Sequence, residues 1–308
     1  MFKTIRHLAA SAAVLSALFV APVALAQAPS IPAVVPAARD AGPAMWVISD
    51  ADSTIYLYGS IHLLKPQTPW GQAHVDAAFN SADEVWFELT DMDDQAQMMG
   101  LLQSLGFSPD RPLSSLMTPD DIAKLDVAAR SIGANAAALD PMRPWLVAMQ
   151  LAVVQMAAGG FDPNLGVDKI MTERAKAQGK TLRGFESMAE QFGILAGLSD
   201  EGQVQMLRST LKDLDKGPEQ LNTLVAAWAT GDVDKIDNLM VEEMKLSQPE
   251  AYDAMLTRRN ANWVRQIKSI LDGSGTSFVV VGAAHLAGDE SVQSMLAAQG
   301  IHVERVYH

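Results

Sequence analysis

Thr54-Ile55-Tyr56-Leu57-Tyr58-Gly59-Ser60-Ile61-His62 is the stretch from which the fold of this chain can be read. Residues 54–58 are β-branched, aromatic and aliphatic in a short run, which predicts a strand. Gly59 breaks the run and allows a sharp turn or a close backbone approach. His62 follows three residues later. The device recurs near the C-terminus, where the apolar run Ser277–Val281 leads into Gly282-Ala283-Ala284-His285. A strand that delivers G-x-x-H at its end, twice, is the main pointer to function, because open α/β sheets place their chemistry at the carboxyl ends of strands.

Outward from these motifs, Met45–Ser49 and Thr54–Tyr58 flank the turn formers Asp50-Ala51-Asp52-Ser53 and predict a hairpin. Residues 71–82 predict a helix with Val75, Ala78 and Phe79 on one face. Glu84–Leu89 predicts the next strand, with Glu88 at its carboxyl end, in the same structural place as the two histidines. From Asp91 to about Gly273 the periodicity is mostly helical. Thr118 caps a helix over 119–130, and residues 143–158 are apolar enough for a buried helix. A helix over 166–178 ends at Gly179, and Thr181–Phe185 is a short strand leading to Glu186. Further helices are predicted over 188–196, 201–214, 218–229, 233–245 and 250–271. Strand, helix and strand then close the chain at 278–281, 291–298 and 301–306.

Strands at both ends therefore bracket a helical middle. The predicted class is α/β: a mixed sheet formed by the N- and C-terminal parts of the chain, with a large helical insertion or cap over about 91–273. That arrangement brings His62 and His285 together in space.

His62, His285 and Glu88 form the lead constellation. Two imidazoles and a carboxylate can bind a divalent metal and leave positions open for water and substrate. A metal-bound water becomes a nucleophile near neutral pH. Either histidine alone reads equally well as a structural residue. Glu186 is a further acid, as ligand or general base, or as a carboxylate favoured by a helix N-terminus. An arginine from the Arg258-Arg259-Asn260 run could stabilise an oxyanion or hold a substrate carboxylate; its plainer reading is a surface ion pair. Asp168 could orient a histidine or simply occupy a first helical turn. Arg143 reads as structural, and His74 as a surface residue. No G-x-S-x-G, P-loop, H-E-x-x-H or G-x-G-x-x-G occurs, so those readings lose their signatures.

Composition bounds the rest. Lys3 and Arg6, the apolar stretch Leu8–Ala26 and the A-x-A-like Ala24-Leu25-Ala26 predict a signal peptide over 1–26. Residues 27–44, rich in Ala and Pro, predict a disordered linker, and 45–308 the working domain. The protein is expected to be periplasmic or secreted. Its formal net charge of −13 becomes more negative once Lys3 and Arg6 are removed, which disfavours nucleic acid and anionic membranes as partners. The chain has no cysteine, so it has neither disulfides nor thiolate ligands and nucleophiles.

These motifs carry a resemblance. W-V-I-S-D…I-Y-L-Y-G-S-I-H-L, V-W-F-E-L, R-P-W-L, L-G-V-D, G-F-E-S-M-A-E-Q, L-T-R-R-N and V-V-V-G-A-A-H-L-A-G-D together resemble the TraB/GumN family, from about Met45 to the C-terminus. That family is related to the Tiki metalloproteases and, more distantly, to erythromycin esterase-like and ChaN-like proteins. By this resemblance His62, Glu88 and His285 match the paired G-x-x-H and strand-end Glu of its presumed active site, with Gly59 and Gly282 as motif glycines. Arg259 and Asn260 match its R-N pair, as substrate-binding residues. The resemblance implies metal-dependent peptide-bond cleavage with manganese or cobalt in the Tiki branch.

Three functions stand as expectations. The first is a periplasmic metal-dependent hydrolase, peptidase-like, with His62, His285 and Glu88 on the metal and Glu88, Arg259 and Glu186 as catalytic groups. The second is a non-catalytic protein that binds or sequesters a peptide or a haem-like ligand, which would suit the 16 methionines. The third is a metal-free, esterase-like hydrolase using one histidine as general base. The partner is a peptide or small-molecule substrate in each enzymatic case.

Overall fold

The computed structural model describes residues 31–37, 42–91, 93–213 and 216–307. The signal-peptide reading of 1–26 lies outside the described residues. Within the stretch read as a linker, β1 (Val35–Pro36) pairs in parallel with β4 (Pro69–Gly71), and Pro43 and Ala44 are buried where the domain begins.

The main sheet has six strands. They are β2 (Met45–Ser49), β3 (Ser53–Ser60), β5 (Glu84–Phe87), β6 (Thr181–Gly184), β7 (Gly275–Gly282) and β8 (Val303–Val306), in the spatial order β6-β5-β7-β3-β2-β8. The hairpin β2–β3 is antiparallel, as the turn formers between them require, and β8 pairs antiparallel with β2. β6, β5, β7 and β3 run parallel. The sheet is thus mixed: five strands come from the two ends of the chain, and the edge strand β6 comes from within the stretch read as the helical insertion. β7 inserts between β3 and β5, pairing Gly59 with Val281 and Ser60 with Gly282. This register sets the two G-x-x-H turns side by side at one edge of the sheet, with Glu88 one residue beyond the end of β5.

The strand residues alternate between two buried faces, as a period of two demands. Tyr58, Val85, Phe87, Phe278 and Val280 meet α1 (Ala73–Ser81) and, further along the chain, Val167, Ile170 and Met171. Ile55, Leu57, Val279 and Val281 face the opposite way, against Trp263, Val264, Ile267, Val292 and Leu296.

The helical insertion has its own core. It contains α2 (Gln95–Leu105), α3 (Pro119–Ala129), α4 (Pro144–Ala158), α5 (Val167–Ala177), α6 (Met188–Gly197), α7 (Asp200–Asp213) and α8 (Gly217–Ala229). Leu102, Leu125, Trp145, Val147, Leu151 and Leu207 pack together there. α4 is apolar around most of its circumference and is buried through its first two turns. Thr118 and Asp121 form a reciprocal capping box on α3, and Ser187 and Glu190 form another on α6.

The two helices predicted over 233–245 and 250–271 are not continuous. Each contains a π-helical turn, Asp237–Val241 and Asp253–Thr257, the second leading directly into α9 (Arg258–Leu271). The extra residue in a π turn rotates the helical segment beyond it, and such turns concentrate at functional sites. Here Arg259 turns back to donate from Nη1 to the Met255 carbonyl at 3.1 Å. α10 (Val292–Ala298) precedes the last strand. Among the described residues no helix is long and apolar enough to cross a membrane.

Candidate functional site

The site lies beyond the carboxyl ends of β3, β5 and β7. Gly282 sits at its centre: a Cβ there would stand 3.1 Å from Glu88 Oε1, 3.6 Å from His62 Nε2 and 3.7 Å from His285 Cδ2. Glycine at this point serves close approach rather than backbone conformation, since its φ of −53° is open to any residue. Its N–H donates to Glu88 Oε1 at 2.7 Å.

His62 stands at the mouth with its side chain 63% exposed. Its Nδ1 lies 2.9 Å from Asp168 Oδ1, and its Nε2 lies 4.0 Å from Glu88 Oε1. Asp168 comes from the first turn of α5. That helix is seated on the motif by a Val167 N–H to Ile61 carbonyl bond of 2.9 Å, and Gly166 packs so tightly that a Cβ would collide with the His62 carbonyl. The Asp168 charge favours the imidazolium and lifts the His62 pKa above its ordinary value; Glu88 adds to this and Arg259 opposes it.

Glu88 is the hub. Besides Gly282, it accepts from Arg259 Nη2 at 2.6 Å and from Gln191 Nε2 at 3.2 Å, both on Oε2. His285 Nε2 is 3.9 Å from its Oε1. Burial works against the charged form, yet Arg259, the His62 imidazolium and the Gly282 N–H outweigh it and hold the carboxyl well below the usual range. Glu186 lies just past β6, where its N–H donates to the Glu88 carbonyl at 3.0 Å. Its carboxylate takes Arg259 Nε at 3.0 Å, the Trp263 indole N–H at 2.8 Å and Gln191 Nε2 at 3.1 Å.

Arg259 therefore bridges two buried carboxylates, with its guanidinium 4.7 Å from the centre of the Trp263 ring. Its Nη1 is also 3.1 Å from His285 Nε2. The other ring nitrogen, Nδ1, is 2.5 Å from Asn260 Oδ1. Asn260 Nδ2 donates to the Glu290 carbonyl at 2.8 Å, so the oxygen end of the amide faces His285. His285 is then the Nδ1–H tautomer, and its Nε2 lone pair accepts from Arg259. Burial pushes its pKa down to about 3, so the ring is neutral. Asn260 was expected to meet substrate; instead both ends of its side chain are engaged inside the protein.

The sequence-predicted residues His62, Glu88, Glu186, Arg259 and His285 thus converge, together with Asn260 and Asp168. The structure adds Gln191 and Trp263. Gln191 was legible only as part of the G-F-E-S-M-A-E-Q motif: it stands one turn after the Ser187 cap, on the helix face turned toward Glu186. Arg258 points outward to Asp253. Arg143 is structural, donating its backbone N–H to Gly106 and its Nη1 to the Leu105 carbonyl. A cleft of about 660 Å³ at the opposite, amino end of the strands, beside Trp86 and Arg183, is remote from this chemistry.

His62 and His285 both aim Nε2 at Glu88 Oε1, which is the donor set of a two-histidine, one-carboxylate metal site. As placed, however, these residues do not fit a shared ion. A ligating His285 would need its Nε2 lone pair free, and Arg259 Nη1 is bonded to it. Among the described residues no group of three or more His, Cys, Asp or Glu side chains is arranged to hold a metal ion.

Fold and site together define an α/β domain with a helical insertion and a buried Glu–Arg–Glu cluster flanked by two strand-end histidines. The chain belongs to the TraB/PrgY/gumN family, whose family profile matches residues 44–305. It is similar to an uncharacterized protein of Treponema pallidum (strain Nichols), 22% identical over 267 residues, covering 80% of this chain and 78% of the relative. No solved structure matches it.

Proposed function

We propose that this protein is an exported hydrolase of acyl bonds, and that His62 and Glu88 carry its proton transfers. The observation behind this reading is the placement of one exposed imidazole between two carboxylates, Asp168 at 2.9 Å and Glu88 at 4.0 Å. The second gap is too long for a direct hydrogen bond but suits an oxygen held between the two groups. In this reading Glu88 Oε1 takes the proton of an attacking water as its oxygen bonds to the acyl carbon. His62 Nε2–H gives a proton to the leaving oxygen or nitrogen as that bond breaks. Asp168 keeps the imidazole protonated and oriented. Arg259 holds Glu88 ionised, and His285, fixed by Asn260, holds Arg259. Manganese or cobalt, if bound, would supply a Lewis acid, but His285 could join it only by releasing Arg259.

The test is turnover of a panel of p-nitrophenyl esters and peptide p-nitroanilides between pH 5 and 10, with and without EDTA. Wild type should be active, and His62→Gln should lose about 100-fold or more, as removal of a general acid does. Activity that survives EDTA supports the ion-free form, and activity that needs added manganese supports the metal-dependent one. No turnover by folded wild type on any substrate would reject the hydrolase reading.

A further inference from the structure

A cavity of about 470 Å³ opens against the back of the Glu186–Arg259 pair, between α6 and the π turn before α9. Its walls are unusual for a helical surface. Gly193 and Gly197 lie on the wall from α6, and Ala254 of the π turn lies opposite. Gly193 is in mid-helix, where glycine is unfavourable relative to alanine. Among the described residues, nothing outside the helix's own backbone would touch a Cβ at Gly193 or Gly197 within 4 Å. Neither glycine is demanded by packing, nor by a left-handed backbone. Their effect is to keep the groove open.

The charges along the groove are also specific. Arg259 is neutralised by Glu88 and Glu186, and Arg258 by Asp253. Among the described residues the remaining acids, Glu190 and Glu250, form no ion pair, although Arg258 also acts on Glu250 from a distance. Glu190 accepts from the Ser187 N–H at 2.7 Å and Oγ at 2.8 Å, and Glu250 from the Ser199 N–H at 2.6 Å. These bonds hold both carboxyls below the usual range, so they stay ionised in the groove. Asn262, also on the groove, accepts from Arg265 Nη2 on its amide oxygen at 3.0 Å.

We infer that this groove is a substrate subsite for an extended peptide segment carrying a basic side chain. The glycine wall admits the chain, and Glu190 and Glu250 meet its charge. The inference rests on the hydrolase reading only for what happens after binding, because the groove and its charges stand without turnover.

The experiment uses the full chain carrying His62→Gln, so that ligands stay intact. Short N-acetylated, C-amidated peptides, identical except for a central Lys, Ala or Glu, are titrated by calorimetry. The Lys peptide should bind about tenfold tighter than the Ala peptide, roughly one charge-assisted hydrogen bond, and the Glu peptide weakest. Glu190→Gln with Glu250→Gln should abolish the preference. Gly193→Leu should abolish binding, while Gly193→Ala should raise the melting temperature by about 2 °C, showing that the helix does not need the glycine for stability. Equal binding of the three peptides, or undiminished binding in Gly193→Leu, would overturn the inference. Peptide binding without turnover by wild type would reject the hydrolase and leave the subsite standing. Turnover by wild type with no charge preference would do the reverse.

Discussion

Arg259 Nη1 stands 3.1 Å from His285 Nε2, and the same guanidinium spans Glu88 and Glu186. A fixed side-chain cation therefore occupies the inner side of the site, between groups that would otherwise attract a metal ion. That placement governs how the site should respond to substitution.

Replacing Arg259 with Met would leave Glu88 and Glu186 buried without their cation. Removing one partner of a buried ionic network costs about 3–5 kcal/mol. Denaturant unfolding should show that loss. It should also free His285 Nε2, so manganese should raise the melting temperature of Arg259→Met and leave wild type unchanged. An equal manganese response in both proteins would mean that Arg259 does not control access of an ion to the site.

Asp168→Asn removes the charge that favours the His62 imidazolium. The His62 titration, followed by NMR of its ring protons, should move down from its raised value toward about 6.5. Catalysis that depends on the protonated ring should lose its activity at a correspondingly lower pH. An unchanged midpoint would show that the 2.9 Å contact contributes nothing to the protonation of His62.

His285 sets a pH dependence of stability. Its folded pKa of about 3 lies below the unfolded value of about 6.5, so the unfolded chain binds more protons between them. Stability from this residue is fully present above about pH 6.5 and is lost as pH falls toward about 3, at about 1.4 kcal/mol per pH unit across the window. His285→Gln should flatten the stability–pH curve there. Glu88 acts in the same direction at lower pH: its folded pKa is depressed, so its contribution is lost below the ordinary glutamate range.

Gly282→Ala tests the close approach at the centre of the site. The backbone accepts alanine, but its Cβ would press on Glu88 Oε1 from 3.1 Å. The fold should survive with a stability change of about 1–2 kcal/mol, while turnover falls by an order of magnitude or more. Activity at the wild-type level would show that Gly282 is dispensable to the geometry.

Much of this molecule was legible because local chemistry and tertiary structure agree. The hairpin around Asp50–Ser53, the cap at Thr118 and the strand Ser277–Val281 all sit where their residue types place them. The π turns were not legible. The apolar pattern across 250–271 is compatible with one uninterrupted helix, and the extra residue shows only in the folded chain, in the turn just before Arg259. Gln191 and the role of Asn260 were hidden for a related reason: an amide reveals its partners only when they are folded around it.

From its residues alone this chain determined an α/β domain closed by both ends, with His62, Glu88 and His285 at strand ends and a helical middle. Strand periodicity, glycine breaks and helix caps are local properties, and they are written in consecutive residues. The tertiary structure alone decided which partner each functional group takes: Asp168 for His62, Asn260 and Arg259 for His285, and Arg259 for Glu88 and Glu186. Those pairings join residues far apart in the chain and compete for the same charges. Only the packed geometry, with burial raising the cost of every unpaired group, can settle that competition.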